Sequence, residues 1–208
     1  MTKESKIILG VAAVIIAAVA ILVTFVDSSK DDPSAVMARI VHEDSHRVGE
    51  GEVQVVEFGD YQCPACAQAH PDVQKLKEEY KDDITFVFSN FPLPLHPNAQ
   101  AAAEAAEAAG SQGKFWEMHD KLFETQSQWS SLADPTSIYS QYAEELGLDK
   151  GKFVEDVSSK ANKTRITRDQ SDGYAVGVTG TPTFFINGKK QEKFDYDSLK
   201  SAIEAELK

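Results

Sequence analysis

The two cysteines, Cys63 and Cys66, are the residues best able to do chemistry, and they are the only thiols in the 208-residue sequence. Two thiols separated by two positions can close a disulfide or ligate a metal ion. Pro64 between them suits the first position of a helix, where its missing N–H costs no hydrogen bond. At a helix N-terminus the backbone N–H groups and the helix dipole stabilise a thiolate. We therefore expect a depressed pKa for Cys63, within about 3.5–7.5.

A buried strand before the cysteines and an amphipathic helix after them are expected to position this pair. Residues 53–58 are almost entirely apolar, which is typical of a strand covered on both faces. After Cys66, apolar residues recur at steps of three and four and predict a helix packed by one face on a sheet. Pro71 lies inside this helix and should bend it.

Glu57 interrupts the apolar strand six residues before Cys63. If its side chain is buried near the sulfurs, its pKa is raised and the carboxyl group can take up or return the proton of Cys66. The alternative is a surface glutamate at a sheet edge, because strand alternation alone does not place the side chain.

Beyond this unit the sequence predicts a long helical stretch. Residues 84–88 favour a second strand, and residues 35–41 favour a first strand over a short helix. From Phe88 to Thr183 the sequence is essentially helical, so we expect an inserted helical subdomain at about 98–176. Asn98 is a suitable N-cap for its first helix.

The end of the chain predicts a hairpin and a final helix. Apolar residues 184–186 lead into Asn187-Gly188, a strong turn signal, with a partner strand expected at 189–194. Thr181-Pro182 opens the first strand, and its peptide bond can be cis.

The first thirty residues predict a membrane anchor. Residues 7–26 carry no charge and would measure about 30 Å as a helix, which matches the hydrocarbon core of a bilayer. Basic residues precede this run and acidic residues follow it, so residues 1–6 should be cytoplasmic and the rest exported. A cleaved signal peptide is the alternative. Residues 27–34 are predicted to be a polar linker to a domain at 35–208.

Composition limits the functional classes. The chain is 42% apolar, which agrees with a packed globule, and carries a formal net charge of −12. A nucleic-acid-binding protein needs a basic face to neutralise phosphates. We therefore expect no nucleic-acid partner.

Two histidines near the start of the domain raise a second possibility, a zinc site. Residues 42–46 match the H-E-x-x-H pattern, in which His42 and His46 would bind zinc on one helix face and Glu43 would act as general base. The segment is short, polar and followed by a strand, which favours an exposed connection. His96 and His119 lie at no metal-ligand spacing from each other or from a cysteine, so packing or capping is expected and no metal site is assigned.

These motifs occur in an order that resembles the DsbA-like thiol-disulfide oxidoreductases of the thioredoxin superfamily. The resemblance implies an α/β thioredoxin fold with an inserted all-helical subdomain, here preceded by one transmembrane helix. It implies an exposed Cys63, a shielded Cys66 and a cis-proline loop at Thr181-Pro182 that lies against the disulfide. The residues that carry it are 57–66, 91–99, 113–120 and 180–184.

The resemblance also indicates site residues and departures. Catalytic residues would be Cys63, Cys66, Glu57 and Pro182, while substrate would contact the residues Pro64, Ala65 and Thr181. Strongly oxidising relatives often carry histidine where Ala65 stands, so its absence removes one donor to the thiolate. No cofactor beyond the redox-active disulfide is implied.

We therefore predict a membrane-tethered, extracytoplasmic thiol oxidase. Its substrates would be unfolded or newly exported cysteine-containing proteins, and a membrane redox partner would reoxidise it. A reductase or an isomerase of the same fold is the first alternative; no dimerisation domain precedes the fold, which disfavours an isomerase and predicts a monomer. A zinc peptidase using His42, Glu43 and His46 is the alternative from another class.

Overall fold

The structure, a computed structural model, describes residues 32–208. The predicted anchor at 7–26 and most of the predicted linker lie outside these residues. Within 32–208, no helix is long and apolar enough to cross a membrane.

The described chain folds into a central sheet with helices on both sides. Its strands are β1 (His46–Val48), β2 (Val53–Gly59), β3 (Ile84–Asn90), β4 (Thr183–Ile186) and β5 (Lys189–Lys190). Its helices are α1 (Pro33–Ile40), α2 (Pro64–Glu79), α3 (Ala99–Gly110), α4 (Phe115–Glu124), α5 (Gln126–Trp129), α6 (Thr136–Glu145), α7 (Lys150–Ser159), α8 (Lys163–Ala175) and α9 (Tyr196–Glu206).

The sheet places the strand before the cysteines at its centre. The strand order is β1-β3-β2-β4-β5, with β2 parallel to β3 and antiparallel to β4. Of the seven β2 residues only Gln54 is more than slightly exposed, because both neighbours and both faces are covered. This agrees with the continuous apolar run that predicted a strand buried on both faces.

Side chains that alternate along β2 and β3 divide the core into two layers. One layer contains Val55 and Phe86 and continues into α2, α9 and the inserted helices. The other contains Val56 and Val87, and is covered by α1 and the loop before β4. Glu57 shares the parity of Val55 along the strand, so it faces the layer that holds both cysteines.

The insertion predicted at about 98–176 corresponds to the helices α3 to α8, which lie between β3 and β4. The alanine-rich helix α3 is almost completely buried, because its small side chains allow close approach by α4 and α7. Trp129, which is fully buried, donates its indole N–H to the Leu122 carbonyl at 2.9 Å and closes the turn after α4.

Several local expectations differ from the structure. The segment 35–41 is a helix and not a strand, because Asp32 caps it through the Ser34 N–H and Pro33 occupies the first turn. The second hairpin strand is only β5, two residues long. Asn98 does not cap α3 with its side chain; its amide instead donates to the Leu132 carbonyl at 2.8 Å.

Gly173 allows α8 to pack closely on the aromatic rings beneath it. A Cβ added there would lie 2.7 Å from the Phe91 ring and 3.0 Å from the Phe58 ring. Overpacking of this kind costs about 1–3 kcal/mol, which exceeds the gain of up to about 1 kcal/mol in helix propensity. We expect Gly173→Ala to lower the free energy of unfolding by about 1–2 kcal/mol in a urea titration. Ser171→Ala, on the exposed side of α8, is the control, and an unchanged Gly173→Ala midpoint would contradict this packing.

Candidate active site

Cys63 and Cys66 lie where the central strand passes into α2. Cys63 is the N-cap residue, Pro64 and Ala65 form the first helical positions, and both cysteines are free thiols. Cys66 is fully buried, as expected from the resemblance. Cys63 is more enclosed than expected, with 7% of its surface exposed, whereas Pro64 beside it is exposed.

The Cys63 thiol is the acidic member of the pair. A hydrogen bond from the Cys66 thiol is the largest cause that lowers the pKa of Cys63 to about 5, and burial opposes it. The side chain of Thr181 and the backbone N–H groups of Cys66 and Ala65 lower this pKa further. The predicted depression of the pKa is confirmed, but the partner thiol contributes more than the helix terminus. The thiolate of Cys63 is therefore stabilised even though position 65 holds alanine and not histidine.

The Cys66 thiol has the opposite character. Burial is the first cause that raises the pKa of Cys66 well above its ordinary value, and its hydrogen bond to Cys63 and the charge of Glu57 add to this effect. At neutral pH the reduced site therefore holds a thiolate on Cys63 and a proton on Cys66.

Glu57 is buried in β2, with 3% of its surface exposed, so the alternative of a surface glutamate is wrong. Burial raises the pKa of Glu57 to about 8, while the nearby charge of Lys77 lowers it in part. Lys77 is itself partly desolvated, and burial lowers its pKa. The carboxyl group is thus protonated at neutral pH and electrostatically coupled to both sulfurs.

The loop before β4 faces the cysteines. The Thr181-Pro182 peptide bond is cis, and the Sγ of Cys63 donates to the Thr181 carbonyl at 3.3 Å. The Oγ1 atom of Thr181 is buried and has no hydrogen-bond partner in residues 32–208. The fold thus brings the cysteine pair and the Thr181-Pro182 loop into direct contact, although more than a hundred residues separate these two predicted motifs.

We expect Thr181→Val to raise the pKa of Cys63, because the side chain of Thr181 beside the sulfur is one of the groups that lower this pKa. The shift should be about 0.5–1 pH unit in the titration of thiolate absorbance at 240 nm. Thr183→Val is the matched control, since the Thr183 hydroxyl donates to the Gly180 carbonyl at 2.7 Å instead. An equal shift in both variants would argue against a direct contact.

Polar side chains of the insertion support the active-site turn. Gln126 at the start of α5 donates to the backbone carbonyls of Tyr61 and Cys63, at 2.8 and 2.9 Å. From the turn itself, Gln62 donates to the Ser130 carbonyl of the insertion at 2.7 Å. Gln126 carries no local signal in the sequence, because a polar residue between two helices follows no pattern.

The proline-rich crossover is tied to the same turn. The Oδ2 atom of Asp60 accepts from the backbone N–H of Leu93 at 2.9 Å and lies 2.7 Å from His96 Nδ1. His96 therefore holds the crossover against the residues that precede Cys63.

His119 packs inside the core, as expected, and its ring lies edge-on to Phe88 with centroids 4.5 Å apart. The fold also brings His70 of α2 to the same place, beside Asp120. His70 carries no local signal in the sequence, because its partners lie about fifty residues away.

The arrangement required for the zinc-peptidase alternative does not form, so that alternative is wrong. His46 begins β1 and lies 2.9 Å from Glu107, while His42 lies in a turn 2.8 Å from Asp172. The two side chains therefore have different carboxylate partners and do not share a helix face. The segment is also more buried than an exposed connection, because the His46 ring stacks on Phe115.

Comparisons with known proteins agree with this geometry. A family model described as Thioredoxin matches residues 42–205. The oxidised BdbD of Bacillus subtilis has a similar structure, with TM-score 0.71 and 28% identity over 78% of this chain and 92% of BdbD. The thiol-disulfide exchange protein α-DsbA2 of Wolbachia pipientis has TM-score 0.73 and 22% identity, covering 88% of this chain and 97% of that protein.

Curated relatives carry a different name. The Na(+)/H(+) antiporter NhaA 1 of Salinispora arenicola is 42% identical over 156 residues, which are 74% of this chain and 23% of that protein. The chain thus spans about a quarter of the length of such relatives. The family match, which covers most of the described residues, and the structural likeness to BdbD agree on one assignment. The chain belongs to the thioredoxin family and has the fold of the DsbA-like thiol-disulfide oxidoreductases.

Proposed function

We propose that this chain is a thiol oxidase that introduces disulfides into other proteins. The observation that carries this proposal is the asymmetry of the two thiols: the pKa of Cys63 is lowered to about 5 and that of Cys66 is raised. A stabilised thiolate favours the reduced form of the enzyme, so the disulfide form is a good oxidant. Antiport is the activity in the names of the curated relatives, and this chain matches only 23% of the length of such a protein.

The first step is attack by a substrate thiolate on the sulfur of Cys63 in the Cys63–Cys66 disulfide. The substrate–Cys63 bond forms, the Cys63–Cys66 bond breaks and Cys66 leaves as a thiolate. Glu57, protonated at neutral pH, is the proposed source of the proton that Cys66 then takes up.

The second step releases the oxidised substrate. A second substrate thiolate attacks the substrate sulfur of the mixed disulfide, and Cys63 leaves as its stabilised thiolate. Two electrons have passed from the substrate to the enzyme. A redox partner that removes them again is required for turnover, and we propose that it lies in the membrane.

The loop beside the cysteines is proposed to bind the substrate. The carbonyl of Thr181 lies 3.3 Å from the sulfur of Cys63 and loses this donor in the disulfide form, so the backbone next to Pro182 can pair with an extended segment that approaches the sulfur. Pro64 and Ala65 border the same sulfur, and Pro64 is exposed, which suits contact with a protein substrate.

Oxidised full-length protein mixed with an equimolar amount of reduced, unfolded ribonuclease tests the proposed reaction. We expect two enzyme thiols to appear for each substrate disulfide that forms. If no substrate disulfide forms at stoichiometric enzyme, the oxidase proposal fails. Efficient reduction of insulin disulfides by the dithiol form would favour the reductase alternative, and rearrangement of scrambled ribonuclease would favour the isomerase.

We also propose an extracytoplasmic location with an uncleaved anchor at residues 7–26. Support comes from the uncharged apolar run and from the basic residues that precede it. After brief treatment of intact cells with a reductant that does not cross membranes, a maleimide that does not cross membranes should label the protein at Cys63. Labelling only after lysis would contradict the proposal.

A further inference from the structure

The fold brings together three metal-ligating side chains that the thiol chemistry does not use. His70 on α2 and His119 and Asp120 on α4 have ligand atoms that all lie within 4.8 Å of one another. The Oδ1 atom of Asp120 is 3.7 Å from the Nε2 of His70 and 3.9 Å from the Nε2 of His119. We propose that these three side chains form a binding site for Zn²⁺.

The ligand types and separations suit this ion. Zinc binds imidazole nitrogen and carboxylate oxygen at about 2.0–2.2 Å, so two ligand atoms of a tetrahedral site lie about 3.3 Å apart. Asp120 would approach each imidazole by about half an ångström, and the ligand atoms of the two histidines, which lie within 4.8 Å of each other, would approach by up to about 1.5 Å. Side-chain rotation is sufficient for this, since the Asp120 carboxylate is 35% exposed.

Gln74 is a candidate for the fourth ligand. It follows His70 by one helical turn, its amide nitrogen lies 3.3 Å from the Nε2 of His70, and it donates to the Asp120 carboxylate. Rotation of the amide by half a turn would place its oxygen at the same point. The side chain that bridges the cluster without metal could therefore close a tetrahedral site.

The surroundings of the histidines favour metal binding. The hydroxyl of Tyr61 lies 3.1 Å from the Nδ1 of His119, which leaves Nε2 for the ion and fixes the ring. Both imidazoles are buried, with 6% of the surface of His70 and 1% of that of His119 exposed, so water competes little for their nitrogens. The exposed side of Asp120 provides access from solvent.

A bound ion would connect the inserted helices to the active-site helix. His70 lies one turn after Cys66, and Tyr61 lies two residues before Cys63. The ion would thus tie α4 to α2 near the redox pair without using either sulfur.

Metal binding by protein without reactive thiols tests the site. Cysteines bind zinc themselves, so the parent is the full-length Cys63→Ser/Cys66→Ser chain without a histidine tag. We expect one Zn²⁺ per chain in equilibrium dialysis. With Co²⁺ in place of Zn²⁺, we expect a visible spectrum of nitrogen and oxygen ligands. His70→Gln and Asp120→Asn should each weaken binding by more than about tenfold.

His42→Gln is the matched control, because it removes a partly buried histidine that pairs with Asp172 outside the cluster. It should bind as tightly as the parent. Circular dichroism of the metal-free proteins shows whether each variant is folded. If His70→Gln does not fold, Asp120→Asn provides the test, because Asp120 lies at the exposed edge of the cluster. Absence of one-to-one binding by the parent, or equal affinity in folded Asp120→Asn, would overturn the proposal.

Discussion

Cys63→Ser is expected to reduce ribonuclease oxidation to the rate without enzyme. A serine oxygen can neither form the redox disulfide nor accept attack by a substrate thiolate, so no transfer of electrons is possible. The loss should be at least about a thousandfold, because a covalent step is removed and not merely weakened. The rate of formation of substrate disulfides, followed by trapping free thiols, measures it.

Cys66→Ala gives the complementary result. It keeps the sulfur of Cys63 but removes the hydrogen bond that contributes most to the acidity of this thiol. We expect the pKa of Cys63 to rise, and we expect no oxidation of ribonuclease, because without Cys66 the enzyme cannot hold the disulfide that the substrate attacks. A Cys63→Ser protein that still oxidises substrate, or a Cys66→Ala protein with an unchanged Cys63 pKa, would contradict the assignment.

Glu57→Gln is expected to stabilise the protein, with an effect that grows with pH. Burial raises the pKa of Glu57 to about 8, so the folded chain binds a proton that the unfolded chain releases above pH about 4.5. Folding therefore loses stability as pH rises from about 4.5 to about 8. Glutamine does not titrate, so the variant should gain about 3–4 kcal/mol over the natural protein at pH 8 and little at pH 4.

Urea titrations of both proteins across this pH range measure the gain. Glu52→Gln, an exposed glutamate just before the same strand, is the control and should leave the pH dependence unchanged. A constant difference between Glu57→Gln and the natural protein at pH 4 and pH 8 would contradict the buried, protonated carboxyl group.

The same variant should be a slower enzyme. If Glu57 supplies the proton that Cys66 takes up, its loss should slow turnover by about a hundredfold, within the range usual for general acid–base groups. Stability and activity would then change in opposite directions, which separates this role from a purely structural one.

Local patterns in the sequence were sufficient to predict where the two cysteines lie in the fold. The strand, the two cysteines and Pro64 form one continuous segment, so spacing alone placed Cys63 at a helix N-terminus. Glu57 could be named but not oriented, because its orientation depends on α2 covering one face of the sheet. Thr181-Pro182 was assigned by resemblance, and only the fold brought its carbonyl within 3.3 Å of Cys63.

Long-range contacts explain what the sequence could not predict. Gln126 reaches the active-site turn, and His70 reaches His119, only because the insertion folds back on α2. The segment 35–41 is a helix although its β-branched end favours a strand, because Asp32 and Pro33 in the adjoining stretch cap and start the helix. The strand order likewise depends on pairing between residues about 130 positions apart, as between β2 and β4.

The reduction potential of the Cys63–Cys66 pair, measured against glutathione from pH 4 to pH 8, tests the central claim most directly. A thiolate on Cys63 above pH about 5 predicts a potential at pH 7 less negative than about −200 mV. Its slope should be about −30 mV per pH unit above pH 5 and about −59 mV below it. A potential near about −270 mV, with a slope of about −59 mV throughout, would contradict the claim.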